Sequence, residues 1–389
     1  MKRVQYVVLG IVLLLCLGTV YSYSVFRKPL EEVFRLGATL SGLPYMLALF
    51  FYALFMPLGG KLLGRFPPKL VASLGSIMTS LGWIGAGLSR SYLTLILFYG
   101  VLCGMGVGIA YGVPLAVSVS WFPENPGLAL GGTVIGFGLS PLVTAPLARR
   151  LVEAAGPLFA FRVLGLLFLA VTLPVALSLR FADSHTKSAK SAASSSLPLL
   201  RQGKFWALWT SFFIGTFAGL STISITGPVA QEVVGLPYRS AALSVSLFAI
   251  FNGVGRPLFG YLADRRGFAT GALLSYGSII LASLCFFLSP HPITYALAFA
   301  ILWMNLGAWL AMAPVTTYAL FGQETYAQNY GMVFTAYGAG AIAGTLVSGI
   351  LRDLTGSYLS LFPLNALLAG AGVGIVVLLN RMTQGRKGS

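Results

Sequence analysis

The chain has 389 residues, of which 57% are hydrophobic and only 9% charged, with a formal net charge of +16. A soluble domain carries about 25% charged residues, so this composition excludes one and points to an integral membrane protein. Nucleic-acid binding is not indicated either: the basic residues sit in short loops, as membrane topology requires, and not among base-stacking aromatics of a polar domain.

A run of about 20 apolar residues crosses a bilayer as a helix, because hydrocarbon tolerates only internally hydrogen-bonded backbone. Twelve such segments are predicted: 5–27, 38–62, 69–88, 92–121, 127–150, 158–180, 204–230, 238–263, 268–288, 293–320, 328–351 and 358–380. The first follows Lys2 and Arg3. It is too long for a signal-peptide core and lacks a small-residue cleavage site, so it is expected to stay in the mature chain. Cys16, Cys103 and Cys285 fall inside apolar segments, which implies no disulfide framework.

Placing both termini in the cytoplasm puts most of the 25 Lys and Arg residues inside, with Arg27, Arg149 and Arg239 among those placed in outer loops. That distribution fits the positive-inside rule and a multi-pass protein of the inner (plasma) membrane. Residues 181–196 are rich in Ser, Ala and Lys and read as a flexible cytoplasmic linker. The expected organisation is a six-helix bundle over 1–180, a linker over 181–203, and a second six-helix bundle over 204–389.

The eighth segment carries the main functional signal. Asn252 and Arg256 are four residues apart, so on a helix they point the same way. Asp264 lies eight residues beyond Arg256, about 12 Å along a helix. If Asp264 marks the membrane surface, Arg256 sits near the middle of a hydrocarbon core about 30 Å thick. An ionisable residue at that depth is costly and functional by default. The sequence offers no carboxylate at comparable depth, and the expected partner is an anionic substrate. The competing reading is an arginine that snorkels to the interface or bonds backbone carbonyls. Asn252 is expected to orient the guanidinium or bond a substrate hydroxyl; the plainer reading is a helix-packing amide.

Four segments end on related sequences: GYLADRRG (260–267), GILRDLTG (349–356), GKLLGRFP (60–67) and, more distantly, APLARRLVEAAG (145–156). They follow the second, fifth, eighth and eleventh segments, the middle members of four three-helix units. Nested three-helix repeats are a transporter layout with the site at the membrane midplane.

These repeats resemble the major facilitator superfamily, GYLADRRG being a good match to its loop motif. Gly104, Gly106, Gly108, Tyr111 and Pro114, then Trp121 to Gly127, then Gly136 and Gly138, resemble its oxalate/formate antiporter and monocarboxylate transporter branch. So do the run from Tyr21 to Phe26 and the pair Asn252 and Arg256. The resemblance implies an all-α membrane protein with twelve transmembrane helices in two six-helix halves. Oxalate antiporters carry a lysine in the eleventh helix, absent here. One buried cation balances one carboxylate, which favours a monocarboxylate such as lactate or pyruvate. Animal monocarboxylate transporters carry Asp where Asn252 stands.

Arginine offers five donors in a planar fork that holds a carboxylate bidentately. Tyr111 could give a second donor. Tyr21, Tyr23, Phe334 and Tyr337 are candidate cavity walls, and Asn305 and Trp309, with Trp303, are candidates by analogy. Aromatic residues in membrane helices more often pack or face lipid. Asp264 with Arg265 and Arg266, and Asp353 as their equivalent on the opposite face, are expected to form state-dependent latches; the plainer reading is a solvated turn. His185 and His291 lie in loops, and no metal cluster, Walker loop or Ser-His-Asp set is evident. The expectation is therefore a monomeric, cofactor-free secondary transporter, not an enzyme. It would move a small monocarboxylate with a proton by alternating access. The alternatives are organic-anion exchange of the oxalate/formate kind and a non-transporting anion sensor.

Overall fold

The computed structural model describes residues 3–122, 126–182, 197–321 and 326–384, and within them the regular structure is all helical, without a strand. The first predicted segment is a broken helix: α1 (Val4–Leu17), a tight 3₁₀ stretch (Gly18–Ser22) and α2 (Ser24–Phe34). The break falls where the chain runs close against a neighbour: a Cβ at Gly18 would strike the Phe137 backbone. Next come α3 (Ala38–Leu63), α4 (Pro68–Gly87), α5 (Tyr92–Leu95) running through a wider π stretch into α6 (Gly104–Trp121), and α7 (Pro126–Ser178). Then follow α8 (Leu197–Leu200), α9 (Gly203–Glu232), α10 (Tyr238–Arg266), α11 (Phe268–Leu288), α12 (Pro292–Phe321), α13 (Tyr326–Thr355) and α14 (Leu361–Gln384).

Eleven helices among the described residues are long and apolar enough to cross a membrane, and one of them spans 48 residues, Gly131–Ser178. At 1.5 Å per residue that is about 72 Å, more than twice a hydrocarbon core. It contains two crossings, parted at Ala155 (φ −155°, ψ 22°) and Gly156 (φ 83°). Gly156 stands in the left-handed region that glycine alone enters cheaply. The twelve predicted crossings are thus present, with ends within a few residues of those expected, the first excepted.

That exception carries a correction. Arg27, expected in an outer loop at the end of the first segment, lies inside α2 and is 0% exposed. Its Nε donates to Ser41 Oγ at 3.1 Å and its Nη2 to the Ala38 carbonyl. Ser41 Oγ in turn donates to Glu31 at 2.6 Å. The helix continues to Phe34 because α2 has a buried face, on which Phe26 stacks against Phe161 at 4.6 Å.

The chain divides into two compact units, Met1–Ser191 with Tyr238–Ile250, and Ala192–Pro237 with Phe251–Ser389. In the first, α1 and α4 pack along α7 and α3 along α6. The start of α10 belongs here: Tyr238 donates its hydroxyl to the Val25 carbonyl at 3.1 Å, and Arg239 pairs with Glu153 at 3.2 Å. In the second, α9 packs along α13, α12 and α14, and α11 along α12 and α14. The α9 helix is the most enclosed crossing, with 94% of its apolar window buried. Most of the expected linker, residues 183–196, lies outside the described residues.

Candidate functional site

Arg256 and Asn252 occupy successive turns of α10, and both are buried, at 6% and 0% exposure. Arg256 Nη2 donates to Asn252 Oδ1 at 3.4 Å, at the long end of the hydrogen-bond range. The guanidinium therefore folds back toward the N-terminal half of its own helix. Asn252 is uncharged, so this bond leaves the arginine's charge in place. Pro257 follows Arg256 within the helix and has no N–H to offer the Gly253 carbonyl, which loosens α10 at the turn carrying the arginine.

The amide is held from α12. Asn252 Nδ2 donates to the Trp303 carbonyl at 3.1 Å. The two helices lie too close there for side chains: a Cβ at Gly307 would run into the Asn252 carbonyl oxygen, and one at Gly255 into the Met304 carbonyl oxygen. Behind Trp303, its Nε1 donates to Thr226 Oγ1 on α9 at 3.0 Å. Thr226 Oγ1 donates to the Thr222 carbonyl at 2.8 Å, and the Thr226 carbonyl accepts from Tyr295 at 3.1 Å. A polar thread thus runs from α9 through α12 to the arginine on α10.

The other second-unit candidates are not all brought to this thread. Asn305 is fully buried but engaged with α11: its Oδ1 accepts from Ser275 at 2.5 Å and its Nδ2 donates to Ser278 at 2.9 Å. Trp309 is buried against Gly215, with Tyr276 at 5.0 Å and Phe268 at 6.0 Å. Phe334 and Tyr337 stack on each other along α13 at 4.9 Å, and Phe334 reaches Phe212 of α9.

In the first unit, two of the three candidate tyrosines meet. Tyr21 and Tyr111 both set their rings edge-on to Phe137, at 5.2 and 5.3 Å. Tyr52 joins Tyr111 at 5.2 Å, admitted by Gly108, where a Cβ would meet the Tyr52 carbonyl oxygen. Tyr23 turns elsewhere, against Tyr45 at 5.8 Å and Tyr99 at 5.1 Å, and its hydroxyl donates to the Ser41 carbonyl at 2.9 Å.

Of the expected latches, the side chain of Asp264 lies outside the described residues. Arg265 and Arg266 are exposed in the last turn of α10, Arg265 lying 5.5 Å over the Tyr261 ring. Asp353 is exposed near the end of α13, next to Arg352, which pairs with Glu232 at 2.7 Å. Sequence reasoning missed Arg27 and Thr226. The first had a signal in Glu31 four residues on, the second in the Ser and Thr residues recurring through an otherwise apolar α9. Among the described residues no group of three His, Cys, Asp or Glu side chains could hold a metal ion.

The sequence profile described as "Major Facilitator Superfamily" matches residues 8–345. The oxalate:formate antiporter of Oxalobacter formigenes is 30% identical over 353 residues, covering 88% of this chain and 83% of that protein. Monocarboxylate transporter 12 of Xenopus laevis is 24% identical, covering 84% of this chain and 78% of that protein. Among solved structures, a point mutant of the nucleoside transporter NupG superposes with a TM-score of 0.77 at 14% identity, covering 97% of this chain and 100% of that one. At that identity the likeness is one of fold.

Proposed function

The chain belongs to the major facilitator superfamily, and from that premise we propose that it is a secondary transporter of a small monocarboxylate, lactate- or pyruvate-like, with Arg256 binding the carboxylate. The observation that carries the reading is a guanidinium buried well inside α10 and aimed by an uncharged amide. Such a group offers two parallel N–H donors to a planar carboxylate in a medium of low dielectric. Neutralising it lowers the cost of enclosing the charge, so the loaded carrier is easier to occlude than the empty one. Relatives named as an oxalate:formate antiporter and a monocarboxylate transporter support an organic anion as cargo.

A single arginine favours one carboxylate over two. Tyr111 is the first unit's candidate donor, with Tyr21 beside it at the Phe137 ring. Asp264, Arg265, Arg266 and Asp353 are proposed as latches at helix ends. The proton travels with the anion, either on the acid itself or alongside it. Exchange of the oxalate/formate kind is the second reading, favoured by the 30% identity to such an antiporter.

Counterflow in proteoliposomes separates the two. Uptake of labelled lactate or pyruvate that is driven by an inward proton gradient and needs no internal anion supports the symport reading. Uptake that requires internal anion and ignores the gradient replaces it with exchange. Absence of movement of every C2–C5 carboxylate, with specific binding retained, favours a sensor.

A further inference from the structure

We propose that Trp303 and Thr226 are positioning residues for the anion site, holding Asn252 in the one amide orientation that presents an acceptor to Arg256. The proposal rests on the reading of Arg256 as the carboxylate ligand. An asparagine amide has a donor end and an acceptor end of nearly equal shape. What decides between them here is the Trp303 carbonyl, which can only accept. Asn252 must turn its Nδ2 to that oxygen, at 3.1 Å, and its Oδ1 is thereby left facing Arg256 Nη2. The reverse orientation would set oxygen against oxygen on one side and donor against donor on the other.

The Trp303 carbonyl can do this only while α12 keeps its height and rotation beside α10. On the α10 side, Gly255 and Gly307 let the two backbones touch. On the far side, the indole is pinned by Thr226 Oγ1 at 3.0 Å. Thr226 is itself tied to the Thr222 carbonyl and to Tyr295 within the well-enclosed α9. Trp303 is 0% exposed and Thr226 is 0% exposed, so both act on the substrate through Asn252 and Arg256. Fully satisfied buried networks of this kind rigidify the groups at their ends.

The test uses purified full-length protein and a C2–C5 carboxylate panel. The carboxylate that most raises the wild-type melting temperature serves as the probe for Kd. Trp303→Phe keeps the packing ring and loses the N–H; Thr226→Val keeps the shape and loses the acceptor. Each is expected to weaken probe binding about three- to tenfold, the worth of one buried hydrogen bond. The double variant should lose no more than the weaker-binding single, because both cut one thread. Thr226→Ser should restore wild-type affinity, and the ligand-free melting temperature of Trp303→Phe should stay near wild type. Unchanged affinity in both single variants, or fully additive losses, overturns the positioning role, provided that Arg256→Gln abolishes binding in the same assay. Undiminished binding by Arg256→Gln, or a wild-type protein that no carboxylate stabilises, overturns the anion site itself and this proposal with it.

Discussion

Among the described residues of this membrane protein two arginines are buried, and their surroundings differ in kind. Arg27, in the first unit, spends its guanidinium on the oxygens of Ser41 and Ala38, and Ser41 leads on to Glu31. That cluster gathers a cation, a hydroxyl, a carbonyl and a carboxylate at the corner where α2 meets α3. Arg256, in the second unit, bonds an uncharged amide on its own helix, and the amide is steered by a backbone carbonyl. The first arrangement ties α2 to α3 by hydrogen bonds and keeps a carboxylate of α2 in the same cluster. In the second, the bond that orients the guanidinium brings no opposite charge with it. Burial alone therefore does not mark a ligand site.

The sharpest way to break this contrast is to remove each guanidinium in turn. Arg256→Ala should abolish measurable carboxylate uptake in proteoliposomes, since losing one partner of a desolvated charge pair costs about 2–5 kcal/mol in binding. Its thermal stability should fall less than that of the corresponding Arg27 variant. Arg27→Met should do the opposite. Loss of buried bonds to a charged group costs about 1.5–3 kcal/mol each, which a melting curve in detergent would report, while uptake per folded molecule stays near wild type. Reversed outcomes would mean that the roles have been assigned to the wrong residues.

The two arginines were not equally legible in the sequence. Arg256 stands alone in an apolar run, so its depth follows from counting residues to Asp264. Arg27 shares its neighbourhood with Lys28, Glu31 and Glu32, a composition that reads as a surface loop; the helix runs on because Phe26 packs on Phe161 and Trp83 and Leu30 is buried, which carries the arginine inward. Helix ends were readable because Gly, Pro and capping Ser residues punctuate them, as at Gly267, Pro67 and Ser91. Helix faces were not. Helix α12 is apolar nearly all round and shows no stripe to orient it. Trp303, Asn305 and Trp309 thus appeared equivalent, although they turn toward α9 and α10, toward α11, and between α9 and α11 respectively. Tyr21 and Tyr23, two residues apart, point to different sides of the chain: Tyr21 packs on Phe137 and Tyr23 on Tyr99.

Smaller changes sharpen the comparison. Asn252→Asp would turn the orienting amide of the second site into a carboxylate, a group the first cluster already holds. Ionised, Asp would pair with Arg256, compete with the anion and face the Trp303 carbonyl with oxygen. Anion affinity at neutral pH should fall by about tenfold or more, since like charges set side by side cost several kcal/mol. Affinity should recover as falling pH protonates the new group, whereas Asn252 confers no such dependence. Equal affinity across that range would show that the position does not face the bound anion. The smallest effect is expected at Tyr111→Phe, which retains the ring against Phe137 and Tyr52 and removes one donor. The apparent KM for uptake should rise about three- to tenfold, with an unchanged KM assigning Tyr111 to packing alone.

The central claim is that the Arg256 guanidinium is the carboxylate ligand, and calorimetric titration tests it most directly. A C2–C5 monocarboxylate titrated into purified wild-type protein should bind once per chain, and the heat of binding should vanish in a well-folded Arg256→Gln variant while persisting in Arg27→Met. Saturable binding of wild-type affinity by Arg256→Gln would contradict the account.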